Sequence, residues 1–211
     1  MGKTDQLTYS RGQVEIAIWR AFSQAPAQTP IKQTFAGRIR KLVDLDRAQP
    51  EVPNGQRYAF HSVPPPGKGA EVRFTLADAF CLSIGLDLLD LGFKQSEVVF
   101  LLRHIRAQLE ARLGKILADP PILRSTTNGP DKRVFMLLRK VELGEVLPEK
   151  EGSAGSVFLT PDFCRGDAIE NAIGTLGYND RSRVIIELAE MAVLLEQNLL
   201  SAPERHRGRA G

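Results

Sequence analysis

The chain has 211 residues, 43% of them hydrophobic and 25% charged, with a net charge of +3. That balance excludes wholesale disorder, a collagen-like repeat and a disulfide-stapled miniprotein. No apolar run reaches the roughly 18–20 residues of a membrane span. The opening MGKTDQLTYSRG lacks an apolar core after its charges, and Cys81 and Cys164 stand far apart. The expected location is therefore the cytoplasm, with no membrane contact.

Charge is spread unevenly. Residues 1–74 hold 11 Lys and Arg against 6 Asp and Glu, whereas 75–119 hold 5 against 6 and 120–211 hold 12 against 13. A basic front end suggests an anionic partner there. Prolines mark the joints, above all Pro120, Pro121 and Pro130 around the polar stretch RSTTNGPDK.

Ser10 caps a first predicted helix, Arg11–Ser23, with Val14, Ile18 and Phe22 recurring every four residues. A second helix is predicted over 31–48 after Pro30, with an apolar stripe of Phe35, Ile39, Leu42 and Leu45. Its other faces carry Lys32, Arg38, Arg40, Lys41 and Arg47. Two short strands, Arg57–Ser62 and Glu71–Phe74, are predicted to form a hairpin whose tip is Pro-Pro-Pro-Gly-Lys-Gly. Thr75 caps a third helix, Leu76–Leu91, which is apolar nearly all round and ends at Gly92. Its thin polar face is Ser83, Asp87 and Asp90. Ser96 caps a fourth, 97–118, in which Val98, Leu102, Ile105, Leu109 and Ile116 resemble a short heptad stripe.

Beyond the proline cluster, strands are predicted at Arg133–Leu143 and Ser156–Phe163, and a short helix at Asp167–Leu176. A long helix over Arg181–Leu200 would carry Ile185, Leu188, Ala192, Leu195 and Leu199 at 3,4 spacing. The expected partner surface for a second copy is Leu102, Ile105, Leu109 and Ile116, with Ile185, Leu188 and Leu195.

No catalytic constellation assembles, so the chain is read as a non-enzyme without cofactor or metal. His61, His104 and His206 have no zinc-ligand spacing, and no Cys-x-x-Cys occurs. Gly67-Lys68-Gly69 is not a P-loop, because Ser62 stands where the first glycine belongs and Gly69 where Ser or Thr belongs. The chemistry that is present is cationic. Arginine can bond guanine O6 and N7 together, and a winged helix-turn-helix needs such groups on an inserted helix beside a basic hairpin. Candidate nucleic-acid contacts are Arg11, Lys32, Gln33, Arg38, Arg40 and Lys41, with Arg57, Lys68 and Arg73 at the hairpin.

Three segments, in order, carry a resemblance over about half the chain. They are Tyr9-Ser10-Arg11-Gly12-Gln13-Val14, Phe74-Thr75-Leu76-Ala77-Asp78, and Leu91-Gly92-Phe93-Lys94-Gln95-Ser96-Glu97-Val98 followed by Leu101-Leu102. The set resembles MerR-type regulators, whose pattern runs Tyr-x-Ile-Gly-Glu-Leu, aromatic-Thr-x-x-Asp, Leu-Gly-Phe-Ser-x-x-Glu-Ile. Where that family has Arg-Tyr-Tyr/Trp-Glu, this chain has Gly37-Arg38-Ile39-Arg40-Lys41. The resemblance implies a winged helix-turn-helix, a homodimer joined through the helix after Leu-Gly-Phe, promoter double-stranded DNA as partner, and RNA polymerase as a further one. The expected class is then mainly α with a small β component. Residues 1–95 form the winged helix-turn-helix and 96–119 a linking and dimerisation helix. Residues 132–202 form a small α/β module for dimerisation or sensing, and 203–211 a basic tail. A rival reading is a helical adaptor that binds another protein and no nucleic acid. An enzyme built around Asp87 and Asp90 is a third.

Overall fold

The computed structural model describes residues 7–23, 26, 29–48, 58–63, 71–121, 131–138, 140–141, 157–158, 161–174 and 183–204. The protein is mainly helical with a small sheet component, and divides into two compact units. One lies within Met1–Leu113 and Met191–Gly211, the other within Gly114–Glu190.

In the first unit, strand β1 (Tyr9–Ser10) leads directly into helix α1 (Arg11–Ser23). Ser10 and Gln13 cap that helix reciprocally: each backbone N–H donates to the other's side-chain oxygen, at 2.9 and 3.3 Å. Helix α2 (Gln33–Ala48) starts two residues later than its periodicity predicts. Edge-on contacts of Phe35 with Trp19 and Phe22, at 5.1 and 6.1 Å between ring centroids, join it to α1.

The predicted hairpin does not appear among the described residues. Residues 58–63 form no strand. Their backbone groups turn instead to buried side chains, as described below. Strand β2 (Arg73–Phe74) pairs antiparallel with β1, Tyr9 opposite Phe74 and Ser10 opposite Arg73. Arg57 and the Lys68 turn lie outside the described residues.

Helix α3 (Leu76–Asp90) begins with a capping box between Thr75 and Asp78. It ends in a Schellman motif, in which Phe93 N–H donates to Leu88 O at 3.0 Å and Gly92 N–H to Leu89 O at 3.1 Å. Gly92 sits at φ 88°, a conformation that glycine takes without steric cost. As its composition predicts, α3 is buried nearly all round, from Asp78 through Leu86 and at Leu88. Helix α4 (Gln95–Ala118) follows, with Glu97 accepting from Lys94 N–H at 2.8 Å, so Ser96 is inside the helix and not its cap. At Gly85 the helices approach closely: a Cβ there would stand 3.3 Å from side-chain atoms of Leu42, Val98 and Leu102.

In the second unit, strands β3 (Val134–Leu138), β4 (Lys140–Val141), β5 (Val157–Phe158) and β6 (Asp162–Arg165) occupy the region of the two predicted strands. A 3-10 turn at Gly166–Ala168 and helix α5 (Ile169–Gly174) follow. The main sheet runs β6-β3-β7, with both neighbours antiparallel to β3. Strand β7 is Val184–Glu187, inside the segment whose periodicity predicted a helix. Val184, Ile185 and Ile186 are β-branched, and their pairing with β3 overrides the helical spacing. Glu187 then accepts from Ala189 and Glu190 N–H, at 2.8 and 2.9 Å, and starts helix α6 (Ala189–Ser201). From Met191 onward α6 belongs to the first unit. There Asn198 donates to Ala17 O at 3.4 Å, and Gln13 to Ala202 O at 3.2 Å.

Replacing Gly85 with valine will overpack the junction of α2, α3 and α4. The expected cost is about 1–3 kcal/mol, read as a lower denaturant midpoint. An unchanged midpoint would contradict the close approach at Gly85.

Candidate nucleic-acid interface

Helix α2 positions the front end's charge by its own periodicity. Ile39, Leu42, Val43 and Asp46 point inward. Arg40, Lys41, Asp44 and Arg47 are exposed, and Lys32 and Gln33 are exposed at its start. The helix therefore presents Arg40, Lys41 and Arg47 outward against one exposed carboxylate, Asp44. The second carboxylate, Asp46, is fully buried. Arg38 is also exposed and lies 3.8 Å from Asp90 across a solvated gap. A pair of that kind is worth little and yields readily to a phosphate.

The other predicted contacts are less free. Arg11 is half-buried against Glu15 at 3.5 Å. Arg73 stands 3.3 Å from Glu204 and 3.8 Å from Glu71. The β1–β2 pairing brings Ser10, next to Arg11, opposite Arg73, but neither arginine is part of α2. Arg47 completes the outward set, and its spacing of three from Asp44 and seven from Arg40 is the signal in the sequence.

The predicted dimer stripe is located differently. Leu102 and Leu109 are fully buried and Ile105 and Ile116 are 3% exposed, so these are core positions and not a free surface. Leu188 and Leu195 are fully buried as well, and Ile185 is a strand residue, 41% exposed.

Beneath α2 lies a buried charged network. Arg106 is fully buried on α4, and its guanidinium meets Glu110 (2.8 Å), Tyr58 O (3.2 Å), Ala59 O (2.8 Å), Ser62 Oγ (3.0 Å) and Asp78. That is one acceptor for each of its five N–H groups. Asp78 in turn accepts from Ser62 Oγ at 2.9 Å and from Thr75 N–H at 2.7 Å. Arg103, one turn earlier, donates to Asp46 Oδ1 at 2.7 Å and to Asp46 O, while Phe60 N–H donates to Asp46 Oδ2 at 3.0 Å. Its guanidinium also lies over the Tyr58 ring, 5.4 Å from the centroid. Two arginines of α4 thus tie down residues 58–62, α2 and the start of α3. Sequence reasoning missed this network, although Arg103 and Arg106 sit among the apolar positions of α4.

Two further groups titrate well away from their ordinary values. Burial pushes the Cys81 thiol up to about 12, which leaves it a protonated core residue. Burial, followed by the neighbouring Asp90, pushes Asp87 up to about 7. Among the described residues no group of three His, Cys, Asp or Glu is placed to hold a metal ion. No helix among them is long and apolar enough to cross a membrane. No family model matches the chain, and no curated protein matches it.

Two outcomes follow from these environments. Changing Arg106 to methionine strands Asp78 as a buried charge and will cost about 3–5 kcal/mol of stability; a midpoint within experimental error of the parent would contradict the network. Asp87 has its folded value raised, so the stability its neutral form contributes is present below pH 3.8 and is lost as pH rises through about 7. Asp87→Asn is therefore expected to raise Tm at pH 8 more than at pH 5, and an equal change at both would contradict the burial of that carboxyl.

Proposed function

We propose that the first unit binds duplex DNA in the manner of a MerR-like winged helix-turn-helix, with α2 as the helix that meets the major groove. The carrying observation is the outward set Arg40, Lys41 and Arg47 on one helix whose inner carboxylate is held by Arg103. Rigidity supports the same reading. Helix α2 is braced by α1 through Trp19, Phe22 and Phe35 and by α4 through Asp46. A recognition helix needs such bracing to hold its side chains in register with base edges. The order strand, helix, helix, strand, helix, helix, with the first strand paired to the one before α3, also fits a winged module.

A two-fold dimer is the second part of the proposal, since regulators of this kind read inverted half-sites. With its apolar stripe taken into the core, α4 leaves Phe100, His104, Ala107 and Ala111 outward, at the 4,3,4 spacing that suits a second helix. Phe100 is 52% exposed. This line replaces the buried Leu102, Ile105, Leu109 and Ile116 as the face offered to a second copy.

Fluorescence anisotropy on a duplex site, at two salt concentrations, tests the reading. Arg40→Ala is expected to weaken a specific site by about 1–3 kcal/mol, and Lys68→Ala to weaken all sequences alike and lower the salt slope by about one. Unchanged affinity in both variants would remove the winged-helix assignment.

A further inference from the structure

The segment 58–63 depends on a histidine that the binding surface does not use. His61 is 3% exposed, and its Nε2 is buried with no hydrogen-bond partner. Its ring is tilted 31° against Phe74 with centroids 5.2 Å apart, and Tyr58 approaches edge-on at 6.3 Å. The groups around it come from every neighbouring element: Asp46 and Arg47 on α2, Asp78 on α3, Arg106 on α4. Its chain neighbours supply the contacts that close the network, namely Tyr58 O, Ala59 O and Ser62 Oγ to Arg106, and Phe60 N–H to Asp46.

A neutral imidazole fits that place, because one face of it can stack on Phe74 and an unmet acceptor costs less than an unmet charge. A proton on Nε2 would create a buried cation whose new N–H has no acceptor. The ring must then turn out to water, and residues 58–62 must go with it, since His61 sits between the residues that bond Arg106 and Asp46. We propose that residues 58–63 are an acid-sensitive latch, with His61 as the group that opens it.

Electrostatics agrees in sign. Burial lowers the pKa of His61, and Arg47 and Arg106 add to that, against the opposing pull of Asp78 and Asp46. The stability that neutral His61 contributes is thus present above its ordinary value of about 6.5 and is lost as pH falls through its lower folded value. Asp87, raised to about 7, acts in the opposite direction, because acid relieves its burial.

Opening the latch disturbs the bracing of α2 at Asp46, so the regulatory consequence, weaker duplex binding in acid, rests on the proposed function. The latch itself does not. The test uses the full chain. An NMR titration of the His61 ring should give a midpoint below 6.5. Amide exchange at residues 58–62, corrected for its intrinsic pH dependence, should accelerate by up to about tenfold per unit of pH drop between 6.5 and the midpoint, and level off below it. In His61→Phe, which keeps the ring but cannot titrate, that acceleration should vanish. A midpoint at or above 6.5, exchange that ignores pH, or the same acceleration in His61→Phe would each overturn the latch; if His61→Phe does not fold, the titration and exchange of the parent chain decide it. Duplex affinity measured alongside separates the two claims. Absence of binding at every pH would count against the proposed function alone. Binding with an unchanged affinity in acid would overturn the regulatory consequence.

Discussion

The first unit is organised around the buried guanidinium of Arg106. A charge in that position is tolerated only because every one of its N–H groups is met and a carboxylate, Asp78, stands against it. The acceptors come from three separate stretches of chain: α4 itself, the start of α3, and residues 58–62. Hydrophobic burial is non-directional, but the close approach at Gly85 already restricts where α3 can sit. The arginine adds a directional constraint. Displacement of α3 or of the 58–62 segment leaves a donor of Arg106 unmet, so the network holds both against α4.

Charge in the front end is thereby divided between two tasks. Arg103 and Arg106 work inside, each against a buried carboxylate, Asp46 and Asp78. Arg40, Lys41 and Arg47 stay outside with Asp44, and the buried carboxylate of the same helix, Asp46, is neutralised from within by Arg103. The sum over residues 1–74 hides this division, since it counts Asp46 against the surface cations although it faces the core. What matters for an anionic partner is the exposed balance on α2, and that is more basic than the composition suggests.

Elements with strong local signals were legible in the sequence. Helices α1 and α3 begin at side-chain caps, Ser10 with Gln13 and Thr75 with Asp78, and α3 stops at Gly92, where a left-handed residue is required. The segment 181–200 misled because Ile185, Leu188 and Leu195 fit helical spacing while Val184, Ile185 and Ile186 equally fit a strand; pairing with β3 decided it, and no local window contains β3. Residues 57–62 misled in another way. They look like a strand by composition, but their described backbone groups bond to Arg106 and Asp46, which lie far off in the chain. Of the candidate interface, the α2 cations were legible as exposed helical positions. The apolar stripe of α4 was legible too, but its covering was not, because periodicity gives a face without saying what covers it.

The most direct measurement of the central claim is a selection of the full chain against a pool of random duplex DNA. A protein that docks α2 in the major groove as a symmetric pair will enrich an inverted repeat with half-sites about one helical turn apart, or a multiple of it. Recovery of no motif above background, at a salt concentration where a basic surface still holds phosphate, would contradict it.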